Sequence, residues 1–248
     1  MRKRIFILYL IFLHAVLCLV LLKSDFIRRV ETKLGRGSTP LSITNDSFFQ
    51  RMVRYQERID GNVPPGSVIF IGDSITQGLC VDAVANPAVN FGIGSDTTVG
   101  VLNRLPKYRC LEGASAVVLA IGINYLTTEG SDNTLKDNYR RILSAIPPKV
   151  PIVVSAVLPV DETLLPRKNQ HITNLRIANL NDYLKTLCQT DARCVFVDTG
   201  AKLKNNVGGL NSTFHDGDGV HLNSKGYIIW IEELRNTLNE VRHRTTSS

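Results

Sequence analysis

Ser67-Val68-Ile69-Phe70-Ile71-Gly72-Asp73-Ser74-Ile75-Thr76-Gln77-Gly78 is the stretch that decides the fold. Its first part, Ser67 to Ile71, is an apolar, β-branched run of strand length, the pattern of a strand buried on both faces. Its second part breaks that run with Gly72 and predicts a passage from strand to helix at Ser74. A serine placed there projects its hydroxyl at the carboxyl edge of a sheet, where backbone N–H groups and the positive end of a helix dipole face one spot. A serine hydroxyl is a poor nucleophile until a neighbouring base takes its proton. Asp218-Gly219-Val220-His221, far along the chain, offers that base together with a carboxylate close enough on one loop to hold its tautomer.

Outward from Ser74 the pattern alternates. Asn45 or Ser47 caps a helix through about Ile59. Ala88–Phe91 reads as a short strand and Thr97–Leu105 as a helix. Ala116–Ile121 is a wholly apolar strand, and the helical spacing of Leu135–Ile146 stops at Pro147-Pro148. Ile152–Val157 is a fourth strand. Leu175, Ile177, Leu180, Leu184 and Leu187 share one side of a helix over Asn174–Leu187, Val195–Val197 is a fifth strand, and Ser224 caps a last helix to about Val241. Five short strands separated by helices predict the α/β class, a three-layer α/β/α sandwich on a parallel sheet. Ligands in such sheets bind outside the carboxyl ends of the strands. The polar clusters Gly92-Ile93-Gly94-Ser95-Asp96, Gly122-Ile123-Asn124 and Asp218–His221 all fall there.

The N-terminal region has a different character. Ile5 to Leu22 is an 18-residue apolar run broken only by Tyr9 and His14, with Arg2-Lys3-Arg4 before it and Lys23, Arg28 and Arg29 after it. That length can just span a bilayer. Residues 1–29 are therefore expected to be a membrane anchor or a signal segment; the run is long for a signal, and no small-x-small cleavage site follows. A linker over 30–44, with the tether-like Glu31–Pro40, and one domain over 45–246 complete the expected organisation. Residues 1–29 also carry +5 of the net +7, so the small remainder argues against a nucleic-acid partner.

Besides Cys18 there are four cysteines. Cys188 and Cys194 flank a helix-to-strand turn and are expected to pair, leaving Cys80 to pair with Cys110; an even number suits an oxidising compartment. The catalytic domain is accordingly expected on the extracytoplasmic side of the membrane held by residues 5–22. Asn45-Asp46-Ser47 and Asn211-Ser212-Thr213 match glycosylation sequons.

With these blocks in order, the chain resembles the SGNH, or GDSL, hydrolase family over roughly residues 65 to 230. The resemblance implies a flavodoxin-like sheet order, Ser74 as nucleophile, Asp218 and His221 as acid and base, and an oxyanion hole formed by the Ser74 and Ser95 N–H groups and the Asn124 side chain. Two positions depart from the family pattern. Ser95 stands where glycine is usual, in a place where a positive φ would strain a side chain, and Tyr125 replaces the acid that usually follows Asn124.

What the resemblance implies is a serine esterase acting on small acyl esters, such as O-acetyl carbohydrate or short-chain lipid esters. The rivals are an O-acyltransferase using the same acyl-enzyme and a silent glycan-binding module. His215 and Asp216 are expected in a solvated loop, and His171 is expected to face water. No metal-ligand spacing, phosphate loop or dinucleotide fingerprint is present in the sequence, so no cofactor or metal is expected.

Overall fold

The computed structural model describes residues 2–23, 47–127 and 130–246. The expected linker over 30–44 and the Asn45 cap lie outside the described residues. The chain divides into two compact units, Met1–Ser38 and Thr39–Ser248.

In the first unit Arg2–Lys23 forms one 22-residue helix, α1, about 33 Å long at 1.5 Å per residue. Side chains are described at 3–7 and 9–17 only. Among the described residues no helix is long and apolar enough to cross a membrane. Ile5, Phe6, Ile11 and Phe12 are exposed.

The second unit contains α2 (Ser47–Asp60), β1 (Val68–Gly72), α3 (Ser74–Gln77), β2 (Ala88–Gly92), α4 (Thr98–Arg104), β3 (Ala116–Ala120), α5 (Ile123–Leu126), α6 (Asp132–Ala145), β4 (Ile152–Ser155), α7 (Asn174–Gln189), β5 (Cys194–Val197), α8 (Gly200–Leu203) and α9 (Ser224–Thr246). The strands form one parallel sheet in the order β2-β1-β3-β4-β5, the flavodoxin-like order. Every residue of β1 and β4 is buried, whereas the edge strands β2 and β5 are only partly so. Helices flank this sheet: α6 packs between α4 and α7, and α9 packs on β4 and β5. Trp230 of α9 donates its indole N–H to Ser155 Oγ at 3.1 Å, satisfying the polar edge of a fully buried ring.

The strand order places the site. After β1 the chain moves to β2 on one side and then returns to β3 on the other, so a crevice opens at the carboxyl end of β1. Gly72 pairs in register with both Gly92 and Ala120. A Cβ on Gly72 would come within 2.2 Å of the Ala120 carbonyl, and one on Gly92 within 2.3 Å of the Gln77 amide. Those two glycines let α3 lie directly across the strand ends.

Three expectations need correction. Among the described residues only Cys188 and Cys194 are bonded, with Cα atoms 4.8 Å apart; Cys80 and Cys110 are free thiols. Cys80 is exposed, while the Cys110 thiol is hydrogen-bonded to Asp60, the carboxylate that also takes the Arg109 and Cys110 amides at 3.1 and 3.0 Å. Burial, reinforced by Asp60, pushes the Cys110 thiol up to about 12. Second, α3 has four residues, too short for a macrodipole, so individual amides supply whatever anion preference exists there. Third, the side-chain cap of α9 is Asn223 rather than Ser224: its Oδ1 accepts from the Lys225 and Gly226 amides at 3.0 and 3.2 Å.

Candidate active site

Ser74 opens α3 immediately after β1, and Asp73 caps that helix by accepting the Ile75 amide at 3.0 Å. The helix is pinned from three sides. Asn90, a polar residue inside β2, donates to the Thr76 and Leu79 carbonyls. Gln77 Oε1 accepts the Gly94 amide at 2.6 Å, and Tyr227 of α9 donates to the Ile75 carbonyl at 2.8 Å.

The loop before α9 brings the base to this serine. Ser74 Oγ lies 2.8 Å from His221 Nε2, and His221 Nδ1 lies 2.5 Å from Asp218 Oδ2. A carboxylate only accepts, so Nδ1 carries the proton and Nε2 is free to receive the serine's. The other carboxylate oxygen, Asp218 Oδ1, accepts the Val220 and His221 amides at 2.9 Å each. Burial pushes the Asp218 carboxyl up, but the bonds from the His221 ring and the two amides outweigh it and leave it below the usual range. The three residues expected from sequence are thus joined in one chain, across 147 positions between Ser74 and His221.

His215 overturns the expectation of a solvated loop. It is 6% exposed, accepts the Gly217 amide at Nδ1, and aims Nε2 at Asp161 Oδ2, 3.8 Å away. That nitrogen is buried with no hydrogen-bond partner. Asp161 N in turn donates to the Gly219 carbonyl, and Asp216 N to the His221 carbonyl. Asn223 Nδ2 donates to the Thr213 and His215 carbonyls. The segment carrying Asp218 and His221 is therefore braced from beneath by His215 and from its end by the helix cap. Asp216 is exposed, as expected.

In the turn after β2, Ser95 has φ 63°, alone among described non-glycine residues in being left-handed. The strain expected at this position is present. Asn124, at the start of α5, donates Nδ2 to the Asp96 carbonyl at 3.0 Å, which leaves its second N–H available. Asp96 is where a fully buried network begins. Its carboxylate accepts the Thr97 amide and Arg104 Nε, both at 2.8 Å. Arg104 also donates to the Gly72 carbonyl, to Tyr108 and to Gln56 of α2. One guanidinium thus ties the end of β1, the Ser95 turn and Asn124 together. Sequence reading missed Arg104, Gln56 and Tyr108, because charged and polar side chains on helices (Arg104, Gln56) and a tyrosine in a loop read as solvent-facing.

Asp73 is 3% exposed and lines a cavity of about 20 Å³ with Ile121, Val157, Leu158 and Trp230. Burial pushes its carboxyl up to about 7; the Ile75 amide and His221 pull the other way, and the Asp96 charge adds to the rise. With an ordinary value of 3.8, the protonated native form stabilises the fold fully below about pH 3.8, and that contribution is lost as pH rises through about 7. Asp73→Asn keeps the cap without the ionisation. Relative to wild type it is expected to gain stability between pH 4 and 8, on the order of 4 kcal/mol. Parallel melting-temperature profiles across that range would contradict the assignment.

A parallel sheet of this order, with serine, histidine and aspartate joined over its carboxyl edge, defines a class: the protein is a carboxylic ester hydrolase. Residues 70–229 match the family model of the GDSL-like Lipase/Acylhydrolase family, and the chain belongs to that family. Among curated proteins none matches it. Among solved structures, a Streptococcus pneumonia protein provisionally described as a platelet activating factor is 23% identical, covers 77% of this chain and 92% of its own, and has a TM-score of 0.71. A GDSL-like lipase from Bacteroides thetaiotaomicron is 17% identical, with coverage of 76% and 97% and a TM-score of 0.65. A variant of an acetyl-xylooligosaccharide esterase from Geobacillus is 18% identical, with coverage of 70% and 94% and a TM-score of 0.57. At these identities the likeness speaks for the fold.

Proposed function

We propose that the protein is a serine esterase that hydrolyses small acyl esters, O-acetyl groups on carbohydrate or short-chain lipid esters, through an acyl-Ser74 intermediate. The observation that carries the reading is the continuous Asp218–His221–Ser74 hydrogen-bonded chain. His221 Nε2 takes the Ser74 proton as Oγ attacks the ester carbonyl. The Ser74 and Ser95 N–H groups and the second N–H of Asn124 receive the oxyanion. His221 then returns the proton to the leaving alcohol, and water attacks the acyl-serine along the reverse path.

Small acyl groups are favoured by analogy with the Geobacillus enzyme described as an acetyl-xylooligosaccharide esterase. A panel of nitrophenyl acetate, butyrate and octanoate, run beside acetylated xylo-oligosaccharide, tests the reading. Activity confined to the longest ester would refute it. Product analysis with and without a free sugar acceptor separates hydrolysis from acyl transfer.

Asn124→Ala is expected to lower kcat by about 10²–10³-fold with little change in KM, the signature of a donor used in the transition state. An unchanged kcat would remove Asn124 from the mechanism.

For placement in the cell, we propose that residues 5–22 hold the chain to a membrane with the catalytic domain on its extracytoplasmic side. The exposed apolar side chains of α1 and the Cys188–Cys194 disulfide support that reading. Release of the full chain from native membranes by high salt alone would refute it.

A further inference from the structure

The outer face of α2 has a composition that the ester chemistry does not use. At about 100° per residue, Arg54, Arg58, Arg51, Tyr55 and Phe48 follow one another around an arc of roughly 120°. Phe49, Val53, Gln56 and Asp60 occupy the opposite, buried side. The three arginines are exposed, and among the described residues none of them pairs with a carboxylate. Tyr55 is 50% exposed and Phe48 40%. The two acids of α2 are already engaged: Glu57 is bound by Lys107 at 2.8 Å, and buried Asp60 faces Arg109. Arg109 itself is exposed. Among the described residues the result is a cationic helix face with two large aromatic rings, the helix's own acids being engaged elsewhere.

We propose that this face docks on an anionic phospholipid surface, the arginines meeting headgroup phosphates and carboxylates while Phe48 and Tyr55 enter the interface. Charge complementarity carries the choice of partner, since a basic helix face interleaved with aromatics matches an anionic interface in both charge and polarity. Docking has a geometric consequence for the site. A Cβ on Gly94 would lie 3.7 Å from the edge of the Phe48 ring, and Gly94 is the neighbour of Ser95. The rim of the crevice beside Ser95 is thereby brought to the lipid surface. This inference is independent of the acyl chemistry, and its test uses no substrate.

The sheet and its buried apolar cluster lie between residues 68 and 241, and Phe49, Val53 and Ile93 complete the packing of α2. Residues 39–248 therefore contain a whole core and can be tested without α1. Flotation of that fragment with vesicles of phosphatidylcholine alone, and of phosphatidylcholine mixed with phosphatidylserine, is expected to show binding only to the mixture and weakening with added salt. Replacing Arg51, Arg54 and Arg58 together by glutamine should lower binding by about 100-fold. Replacing all three by lysine should retain it within a few-fold. In both variants the thermal midpoint and the hydrolysis of a soluble ester are expected to be unchanged, which separates docking from folding and catalysis. No binding to the mixed vesicles, equal binding to both compositions, undiminished binding of the glutamine variant, or tighter binding to RNA than to vesicles at the same salt would overturn the proposal.

Discussion

Ser74→Ala is expected to lower turnover of a short-chain ester by about a millionfold and to abolish labelling by a fluorophosphonate probe, with the fold intact. The size of the effect follows from the geometry. Oγ is the one group at the carboxyl edge of β1 that both contacts the base, at 2.8 Å, and can form the acyl bond. Removing it leaves binding and the oxyanion donors, which by themselves give roughly 10³–10⁴-fold acceleration over water. Labelling that persists in the alanine variant would place the nucleophile elsewhere. Loss of labelling with turnover retained would show that water attacks the ester directly.

Arg104→Leu is expected to cost about 3–5 kcal/mol of stability, because it strands the Asp96 carboxylate in a site where both side chains are fully buried. For a domain of this size that corresponds to a fall in melting temperature of roughly 6–20 °C. The catalytic consequence is distinct and is read below the new midpoint. Arg104 does not touch substrate; it positions the Gly72 carbonyl and, through Asp96, the Asn124 amide. The expected signature is a drop in kcat at little altered KM, partly restored by Arg104→Lys, which returns the charge without the planar fork. A variant that loses stability but keeps kcat would confine Arg104 to a structural role.

Most of the fold was legible because apolar runs and helix periodicity report burial directly. Ser67–Ile71 and Ala116–Ile121 read as buried strands and coincide within a residue with β1 and β3, and Pro147-Pro148 marked the end of α6 to within two residues. The strand order was not readable from periodicity, since five short apolar runs do not say which neighbours which; it came only through the family resemblance. Ser74, Asp218 and His221 were visible because short polar motifs interrupt apolar strands or precede a helix. The groups that hold them were not. Arg104 of α4, Gln56 of α2 and Tyr108 of the loop after α4 are buried against one another, and nothing local distinguishes a guanidinium aimed at a buried carboxylate from one aimed at water. His215 was misjudged for the same reason: its loop composition is polar, but Asp161, contributed by another loop, closes over it. The Cys80–Cys110 pairing rested on an even count, which carries no information about distance.

The hydrogen bond between Ser74 and His221 also has a biosynthetic meaning. The proposed nucleophile is made early and its proposed base late, after all five strands have been synthesised. At about 5–20 residues per second, the stretch from the end of β5 at Val197 to His221 takes about 1–5 s, with the sheet strands made and the serine inert. A chain that ends between Val197 and Asp218 carries all five strands but lacks both the proposed base and the last helix, whose Trp230, Leu234, Leu238 and Val241 complete the core. Hydrolytic competence on this reading waits for the segment that carries His221, and until that segment is made the serine is latent.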